Sequence, residues 1–175
     1  MRRLIYSVAA SLDGFIAGPK GEYDWIVRDP TIDFGEIFGQ FDTLVMGRRS
    51  YEAILREGHS IKEFGMKAFV ASTTLDPAKH AGVTIVAADL AGVVADLKRK
   101  SGKDIWLFGG GNLFRSLLDA GLVDRVDVAL IPVLLGGGIP LIPQGRRCTL
   151  QFKDSRTFPS GIVSLTYLVA PEPQI

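Results

Sequence analysis

A run of three glycines between a predicted strand and a predicted helix is the strongest sign of chemistry in this sequence. The apolar residues 105–108 predict a buried strand. The turn that follows consists of Gly109, Gly110 and Gly111. Asn112 then suits the N-cap of a helix with one apolar face. Bare amides and a helix dipole favour an anion, so the turn predicts a phosphate or pyrophosphate site. The dinucleotide fingerprint needs a glycine where Phe114 stands, so a turn without a ligand is equally compatible with this stretch alone.

Two other predicted strand ends carry groups that bind anions. The first follows the predicted strand 42–46 and consists of Gly47, Arg48, Arg49 and Ser50. The second follows the predicted strand 66–71 and consists of Ser72, Thr73 and Thr74. Because ligands of open α/β sheets bind outside the carboxyl ends of the strands, three such ends predict an elongated, multiply phosphorylated ligand such as a nucleotide. Solvated arginines and an ordinary Ser-Thr-Thr turn are the alternatives.

Candidates for acid–base chemistry are few. Asp13 follows the first predicted strand, and Asp33 lies beside the apolar face of a helix predicted over residues 32–40. Either carboxylate would orient a substrate and help to supply a proton. A turn-stabilising or helix-capping role is the alternative for each. His59 and His80 lie in polar segments and are predicted to be surface residues; neither has a partner at zinc-site spacing, so we expect no metal.

The composition is that of an ordinary globular protein. The 175 residues carry a formal net charge of +1, so we expect neither nucleic acid nor an anionic membrane surface as a partner. Cys148 is the only cysteine, which excludes an intrachain disulfide. Residues 2–10 fit a first strand better than a signal peptide, because Ser7 interrupts a short apolar run. No stretch has the ~20 apolar residues of a membrane helix. A cytoplasmic location is therefore expected.

Strands alternate with helices up to residue 122, and strands alone complete the chain. The pattern predicts strands near residues 3–10, 42–46, 66–71, 83–87, 105–108 and 124–133, helices near 32–40, 48–57, 90–100 and 113–118, and a hairpin of strands 150–158 and 162–169. Thr31 is the expected N-cap of the first helix. Residues 11–25 and 134–143 are predicted loops, the former with the apolar content of a lid. The prediction is an α/β fold with a mostly parallel sheet and an antiparallel C-terminal edge. Residues 1–170 would form one domain, and residues 171–175 a tail.

Four segments together resemble the dihydrofolate reductase superfamily. They are SLDGFIAG at 11–18, DTLVMGRRSYE at 42–52, FVASTTL at 69–75 and IWLFGGGNLFRSLL at 105–118. The first segment and PVLLGGGIPLI at 132–142 are most similar to the C-terminal reductase domain of bifunctional riboflavin-biosynthesis deaminase/reductase proteins and to its stand-alone bacterial relatives. The resemblance implies a three-layer fold with about eight strands, helices on both faces and NADPH along the strand ends.

The resemblance also assigns roles to the coenzyme-binding residues. Ala9 and Ile16 would flank the nicotinamide, and residues 47–50 would hold the pyrophosphate and adenosine side. Ser72 and Thr73, with an arginine of the preceding motif, would bind the 2′-phosphate. Residues 109–113, from Gly109 to Leu113, would pass beneath the pyrophosphate and the nicotinamide ribose. Asp33 lies near the acidic position of dihydrofolate reductases, although its spacing from Trp25 and from Gly47 departs from theirs.

The sequence therefore predicts an NADPH-dependent reductase that transfers a hydride to a C=N or C=O group of a small pterin-like or pyrimidine-like molecule. Trp25, Phe34 and Phe38 would form the walls of the substrate pocket. A homodimer is expected, because the late strands are apolar. Two alternatives remain: a dimeric nucleotide-binding module without catalysis, and a structural dimer that associates through strand 124–133 and loop 134–143.

Overall fold

Ten strands and four α-helices follow one another in residues 1–170, the part of the chain that the computed structural model describes. In chain order they are β1 (Leu4–Ser11), β2 (Phe15–Ala17), α1 (Phe34–Gly39), β3 (Phe41–Gly47), α2 (Arg48–Arg56), β4 (Lys67–Ala71), β5 (Thr84–Val86), α3 (Leu90–Arg99), β6 (Asp104–Gly109), α4 (Gly111–Asp119), β7 (Arg125–Ile131), β8 (Ile139–Pro140), β9 (Leu150–Thr157) and β10 (Val163–Val169). Short 3₁₀ helices occupy Ile61–Phe64 and Pro77–Lys79. The predicted tail, residues 171–175, lies outside the described residues.

Eight of the strands form one sheet in the order β5-β4-β3-β6-β1-β7-β10-β9. All pairs from β5 to β7 are parallel, and β10 is antiparallel to both β7 and β9. The predicted α/β architecture with an antiparallel C-terminal edge is confirmed.

Strand alternation divides the core into two clusters, one on each face of the sheet. On β1, Leu4 and Tyr6 belong to the cluster that packs against α3 and α4, whereas Ile5 belongs to the cluster that packs against α2. On β6, Leu107 belongs to the first of these clusters and Trp106 to the second. Successive side chains of a strand point to opposite faces, so a strand buried on both faces reads as a continuous apolar run. The second cluster carries the aromatic side chains that become important below.

The first helix is shorter than predicted, and its N-cap is a different residue. α1 begins at Phe34, and the carboxylate of Asp33 accepts a hydrogen bond from the Glu36 amide at 2.9 Å. Thr31 lies two residues before this cap, and its hydroxyl donates to Asp29 Oδ1 at 2.6 Å. The prediction of Thr31 as the cap was therefore wrong, and the N-cap position belongs to Asp33.

The loop predicted over residues 134–143 contains a short strand that the sequence did not reveal. β8 pairs with β2 in a separate two-stranded sheet, and Leu141 N donates to Gly14 O at 2.9 Å. The Tyr6 hydroxyl also holds this segment, since it donates to Leu141 O, and Arg115 donates to Arg146 O just beyond it. β7, the other segment assigned to association, lies inside the sheet between β1 and β10. β7 therefore offers no free sheet edge, and association through these two segments stays a prediction.

The C-terminal hairpin leaves one edge of the sheet open. Every residue of β9 is exposed, including Phe152 at 57%, whose ring contacts Tyr167 edge-on. Lys153, Asp154 and Arg156 follow Phe152 on the same strand, and such charges are typical of edge strands that avoid unspecific pairing. Within residues 1–170, none of the helices has both the length and the apolar character that crossing a bilayer requires.

We expect the exposed face of the β9–β10 hairpin to pair with a second copy, which would give the homodimer that the sequence predicts. Phe152→Glu should then shift the protein to a monomer in sedimentation velocity, because it places a charge in an apolar contact. Lys153→Ala, on the neighbouring position of the same strand, should leave the association unchanged. A wild-type protein that sediments as a monomer at all concentrations would contradict this prediction.

Candidate functional site

The three predicted anion-binding strand ends lie side by side. β4, β3 and β6 are neighbours in the sheet and parallel, so their carboxyl ends meet at one edge. Residues 72–74, 47–50 and 109–113 follow these three ends directly. An elongated ligand can therefore contact all three segments at once.

A groove of about 310 Å³ joins two of these segments. Its lining comprises Gly47, Arg48, Arg49, Ser50, Gly110, Gly111, Asn112, Ile139, Pro140 and Pro143. Two helices, α2 and α4, begin here after glycine N-caps that supply no side-chain hydrogen bond. Their first amides are therefore available to a ligand, and both helix dipoles favour negative charge at this place.

Close backbone packing explains why glycine opens α4. A Cβ atom on Gly111 would lie 2.7 Å from Pro140 O and 3.1 Å from Leu141 O. Gly109 has φ +146°, a conformation that side chains rarely adopt. The peptide bond between Gly109 and Gly110 is cis. The glycine run thus permits both the turn and the contact with the 134–143 loop.

α4 begins two residues earlier than predicted. Gly110 is the N-cap of α4, and Phe114 N donates to Gly110 O at 3.0 Å. Asn112 is therefore not the cap but an exposed residue of the first turn, where it lines the groove. Leu113 is half-buried and packs against the α3–α4 core cluster, so it does not line the groove.

Arg48 connects the segment that follows β3 with the segment that follows β4. Its Nη1 donates to Thr74 Oγ1 at 2.6 Å, and its Nε lies 2.6 Å from Glu52 Oε1. Ser72 is buried, and its hydroxyl accepts hydrogen bonds from the Thr74 and Leu75 amides. The exposed side chains at this end are therefore Thr73 and Thr74, while Ser72 shapes the turn.

A second, larger cleft of about 1330 Å³ continues from the groove. Arg49, Ser50 and Gly110 line both spaces. Ala9 and Ile16, the residues expected to flank a nicotinamide, also line the larger cleft. A ligand that starts in the groove can therefore extend past Ser50 into the cleft without leaving the protein surface.

Aromatic side chains form the floor of this cleft. Phe38 stacks on Trp106 with ring centroids 4.9 Å apart, and Phe108 meets Trp106 edge-on at 5.1 Å. Phe64 meets the rings of Trp106 and Phe108 edge-on. The indole nitrogen of Trp106 donates to Ser7 O at 3.0 Å, which leaves no polar atom of that ring free. Such a floor suits a flat, unsaturated molecule.

Only one of the three predicted substrate-wall residues lines the cleft. Phe38 does so, whereas Phe34 is 51% exposed and stacks on the outer side of Phe38 at 5.8 Å. Trp25 turns back on its own loop, where its indole donates to Glu22 O at 3.2 Å. Tyr23 and Ile26 of the same loop line the cleft instead. The geometry does not support the wall roles given to Phe34 and Trp25.

Neither carboxylate proposed as a catalytic group lies in the cleft. Asp33 is exposed and caps α1, as described above. Asp13 accepts a hydrogen bond from the Ser11 hydroxyl at 2.6 Å and from the amides of Gly136 and Leu135. The bond from Ser11, followed by those from Gly136 and Leu135, holds the pKa of Asp13 below its usual value. Both carboxylates therefore stabilise backbone turns, and the geometry does not bring them to a substrate.

Two residues that the sequence left aside do line the cleft. His59 Nδ1 lies 3.1 Å from Glu63 Oε2, and both side chains face the cleft at the far end of α2. The Ser60 amide and then His59 lower the pKa of Glu63, which also closes a capping box. His80 is likewise not a free surface residue, since its Nδ1 lies 3.1 Å from the Tyr51 hydroxyl. Among residues 1–170, no three metal-binding side chains are grouped so that they could hold an ion.

A family model described as the RibD C-terminal domain matches residues 2–164. The chain belongs to the RibD C-terminal domain family. The resemblance seen in the sequence is therefore confirmed. Two relatives of this RibD-type domain come from Bacillus subtilis strain 168. The uncharacterized protein YyaP is 35% identical over 95% of this chain and 94% of its own length, and the uncharacterized protein YwjB is 27% identical over 92% and 95%.

Solved structures share the fold of this RibD-type domain. A candidate riboflavin biosynthesis protein from Shewanella sp. PV-4 has a TM-score of 0.82 and 27% identity, with 98% of this chain and all of that chain covered. RibD from Acinetobacter baumannii has a TM-score of 0.74 and 16% identity, and the match covers 97% of this chain and 58% of that one. A pyrimidine reductase-like protein from Corynebacterium diphtheriae has a TM-score of 0.68 and 16% identity, covering 98% and 93%.

Gly111→Ala should destabilise the protein and weaken ligand binding in the groove. The added Cβ would meet the backbone carbonyls of Pro140 and Leu141, which cannot move away as a side chain could. Overpacking of this kind costs about 1–3 kcal/mol, which urea denaturation can measure. Gly137→Ala is the matched control, because its Cβ would have nothing within 4 Å. Equal free energies of unfolding for the two variants would contradict the packing argument.

Proposed function

We propose that this protein is an NADPH-dependent reductase that transfers a hydride to a C=N or C=O group of a small, flat heterocyclic molecule of pterin-like or pyrimidine-like shape. The observation that carries the proposal is the continuity of the groove with the aromatic cleft. The groove suits a pyrophosphate and the cleft suits two flat rings. Membership of the RibD C-terminal domain family supports the same reaction class.

The residues present fit such a coenzyme. Arg49 and Ser50 have no side-chain partner within residues 1–170, and both line the passage between groove and cleft. A Cβ atom on Gly111 would lie 2.7 Å from Pro140 O, so backbone atoms form the wall of the groove at this point. A phosphate in the groove would receive hydrogen bonds from the first amides of α2 and α4, and the Arg49 guanidinium would neutralise its charge.

When bound, the coenzyme supplies the hydride. The residues of the protein would orient the coenzyme and the acceptor relative to each other. Ala9 and Ile16 would support the nicotinamide ring, and Gly109 and Gly110 would admit it close to the backbone. Phe38 and Trp106 would hold the acceptor ring parallel to the floor of the cleft and exclude water from it.

Titration with NADPH tests the proposal directly. Trp106 lies in the cleft floor, so coenzyme binding should quench its fluorescence with a saturable dependence at micromolar NADPH. Absorbance of the reduced nicotinamide in the region of tryptophan emission strengthens the signal. Trp25 is the second indole, and a Trp25→Phe variant keeps the signal specific to Trp106. A titration without any saturable change would remove the proposal.

Arg48→Gln should lower the affinity for NADPH about tenfold and leave the affinity for NADH unchanged. Arg48 lies beside Thr73 and Thr74, where the 2′-phosphate of NADPH is expected, and a charge-assisted hydrogen bond contributes about 1.5–3 kcal/mol. Arg99→Gln on α3 is the control, because Arg99 pairs with Asp96 away from the groove. Equal losses for NADPH and NADH would show that Arg48 does not read the 2′-phosphate.

A nucleotide-binding dimeric module without catalysis is the second candidate. It is favoured by the positions of Asp13 and Asp33, which leave the cleft without the carboxylates expected to supply a proton. NADPH binding without oxidation in the presence of pterins, pyrimidines and conjugated carbonyl compounds would support this candidate. Turnover with any of them would exclude it.

A further inference from the structure

One hydroxyl in the floor of the cleft has no partner in residues 1–170. Ser7 lies in the middle of β1 and lines the cleft, and its backbone carbonyl accepts the Trp106 indole N–H. The Ser7 side chain itself makes no hydrogen bond, although the other floor residues near it are apolar or glycine. A polar group on an apolar floor fixes the orientation of a ligand that reaches it.

The position of Ser7 on the strand places it beside the expected hydride donor. Ser7 and Ala9 are two residues apart on β1, so their side chains leave the same face of the sheet about 7 Å apart. This distance is roughly the width of a six-membered ring with its substituents. An acceptor that stacks near Ala9 therefore presents its heteroatom to the Ser7 hydroxyl.

Three carboxylates line the cleft: two are paired with other groups, and the third lies along α2 from Ser50. Glu52 pairs with Arg48, and Glu63 with Ser60 N and His59. Glu57 follows the last turn of α2, seven residues beyond Ser50, which corresponds to about 10 Å along a helix. Among the polar side chains that line the cleft, Ser7 is the one that shares β1 and one face of the sheet with Ala9.

We propose that Ser7 donates a hydrogen bond to the carbonyl oxygen of the substrate, which makes the substrate a flat, conjugated carbonyl compound. This inference rests on the proposed function and narrows it from C=N or C=O to C=O. A neutral imine nitrogen needs a full proton before it accepts hydride readily, and a serine hydroxyl is too weak an acid to give one. A carbonyl needs only a hydrogen-bond donor at the oxygen on which negative charge develops.

The reaction balances without a protein acid. The coenzyme would supply the hydride and be oxidised by two electrons, and the hydride would form a C–H bond at the carbonyl carbon while the C=O π electrons move to oxygen. Ser7 would then donate its hydrogen bond to the resulting alkoxide. Water then supplies the proton that completes the alcohol.

The experiment uses isatin, a flat heterocyclic ketone, and 7,8-dihydropterin, a flat C=N compound, as probes. NADPH oxidation is followed by absorbance for the wild-type protein and for Ser7→Ala, Ser7→Thr and the control Ser155→Ala on β9. We expect the wild-type protein to reduce isatin in preference to dihydropterin. Ser7→Ala should lower kcat for isatin at least tenfold, because loss of one donor to a developing oxyanion costs about 10²–10³ in the best cases. Ser7→Thr should restore most of the rate.

The NADPH titration distinguishes a failure of the Ser7 inference from a failure of the proposed reductase function. All four proteins should bind NADPH with equal affinity in the fluorescence titration, since Ser7 contacts the acceptor and not the coenzyme. If NADPH binds but dihydropterin is the better substrate, or if Ser7→Ala reduces isatin as fast as the wild-type protein does, this inference is wrong and the reductase proposal stands. Absence of NADPH binding would overturn both.

Discussion

The close approach of backbone segments around Gly111 is the constraint on which the site depends. α4 can begin beside β6 only because its first residue has no side chain to meet the Pro140 carbonyl. The same contact fixes the 134–143 segment, which in turn pairs with β2 and bonds Asp13. The start of α4, the floor of the groove and the turn after β1 are thus held by one packed unit of main chain. A side chain at this point would separate all three.

The location of the aromatic cleft follows from unequal coverage of the two sheet faces. α3 and α4, with nine or ten residues each, cover one face and bury Tyr6 against Phe114 at 3.9 Å. The other face receives α2 and the six-residue α1. α1 is too short to cover the strands beneath it, so Phe38, Trp106 and Phe108 line an open space. Burial on one side and a gap on the other produce a rigid floor.

Features carried by the backbone could be predicted from the sequence, and features that depend on contacts between distant segments could not. Apolar runs and glycines located β3, β6 and the start of α2, because local periodicity and turn chemistry decide them. The N-cap of α1 was assigned to Thr31, because nothing near it in sequence shows that Asp29 already engages its hydroxyl. Ser7 was read only as an interruption of an apolar run and His59 only as a surface residue, since only the folded chain brings them to the cleft.

Acidic residues near the cleft are held in hydrogen bonds to loops, which is consistent with a hydroxyl as the proposed donor in the cleft. Asp13 holds the Leu135 and Gly136 amides, and Asp29 accepts bonds from Ser160 and Thr31, which keep the pKa of Asp29 well below its usual range. A carboxylate whose pKa is lowered stays ionised at neutral pH and cannot give a proton. The loops around the cleft are therefore fixed by the same groups that would otherwise be its acids. In the proposed reaction, such a site would polarise a carbonyl through the neutral Ser7 hydroxyl, and water would supply the proton.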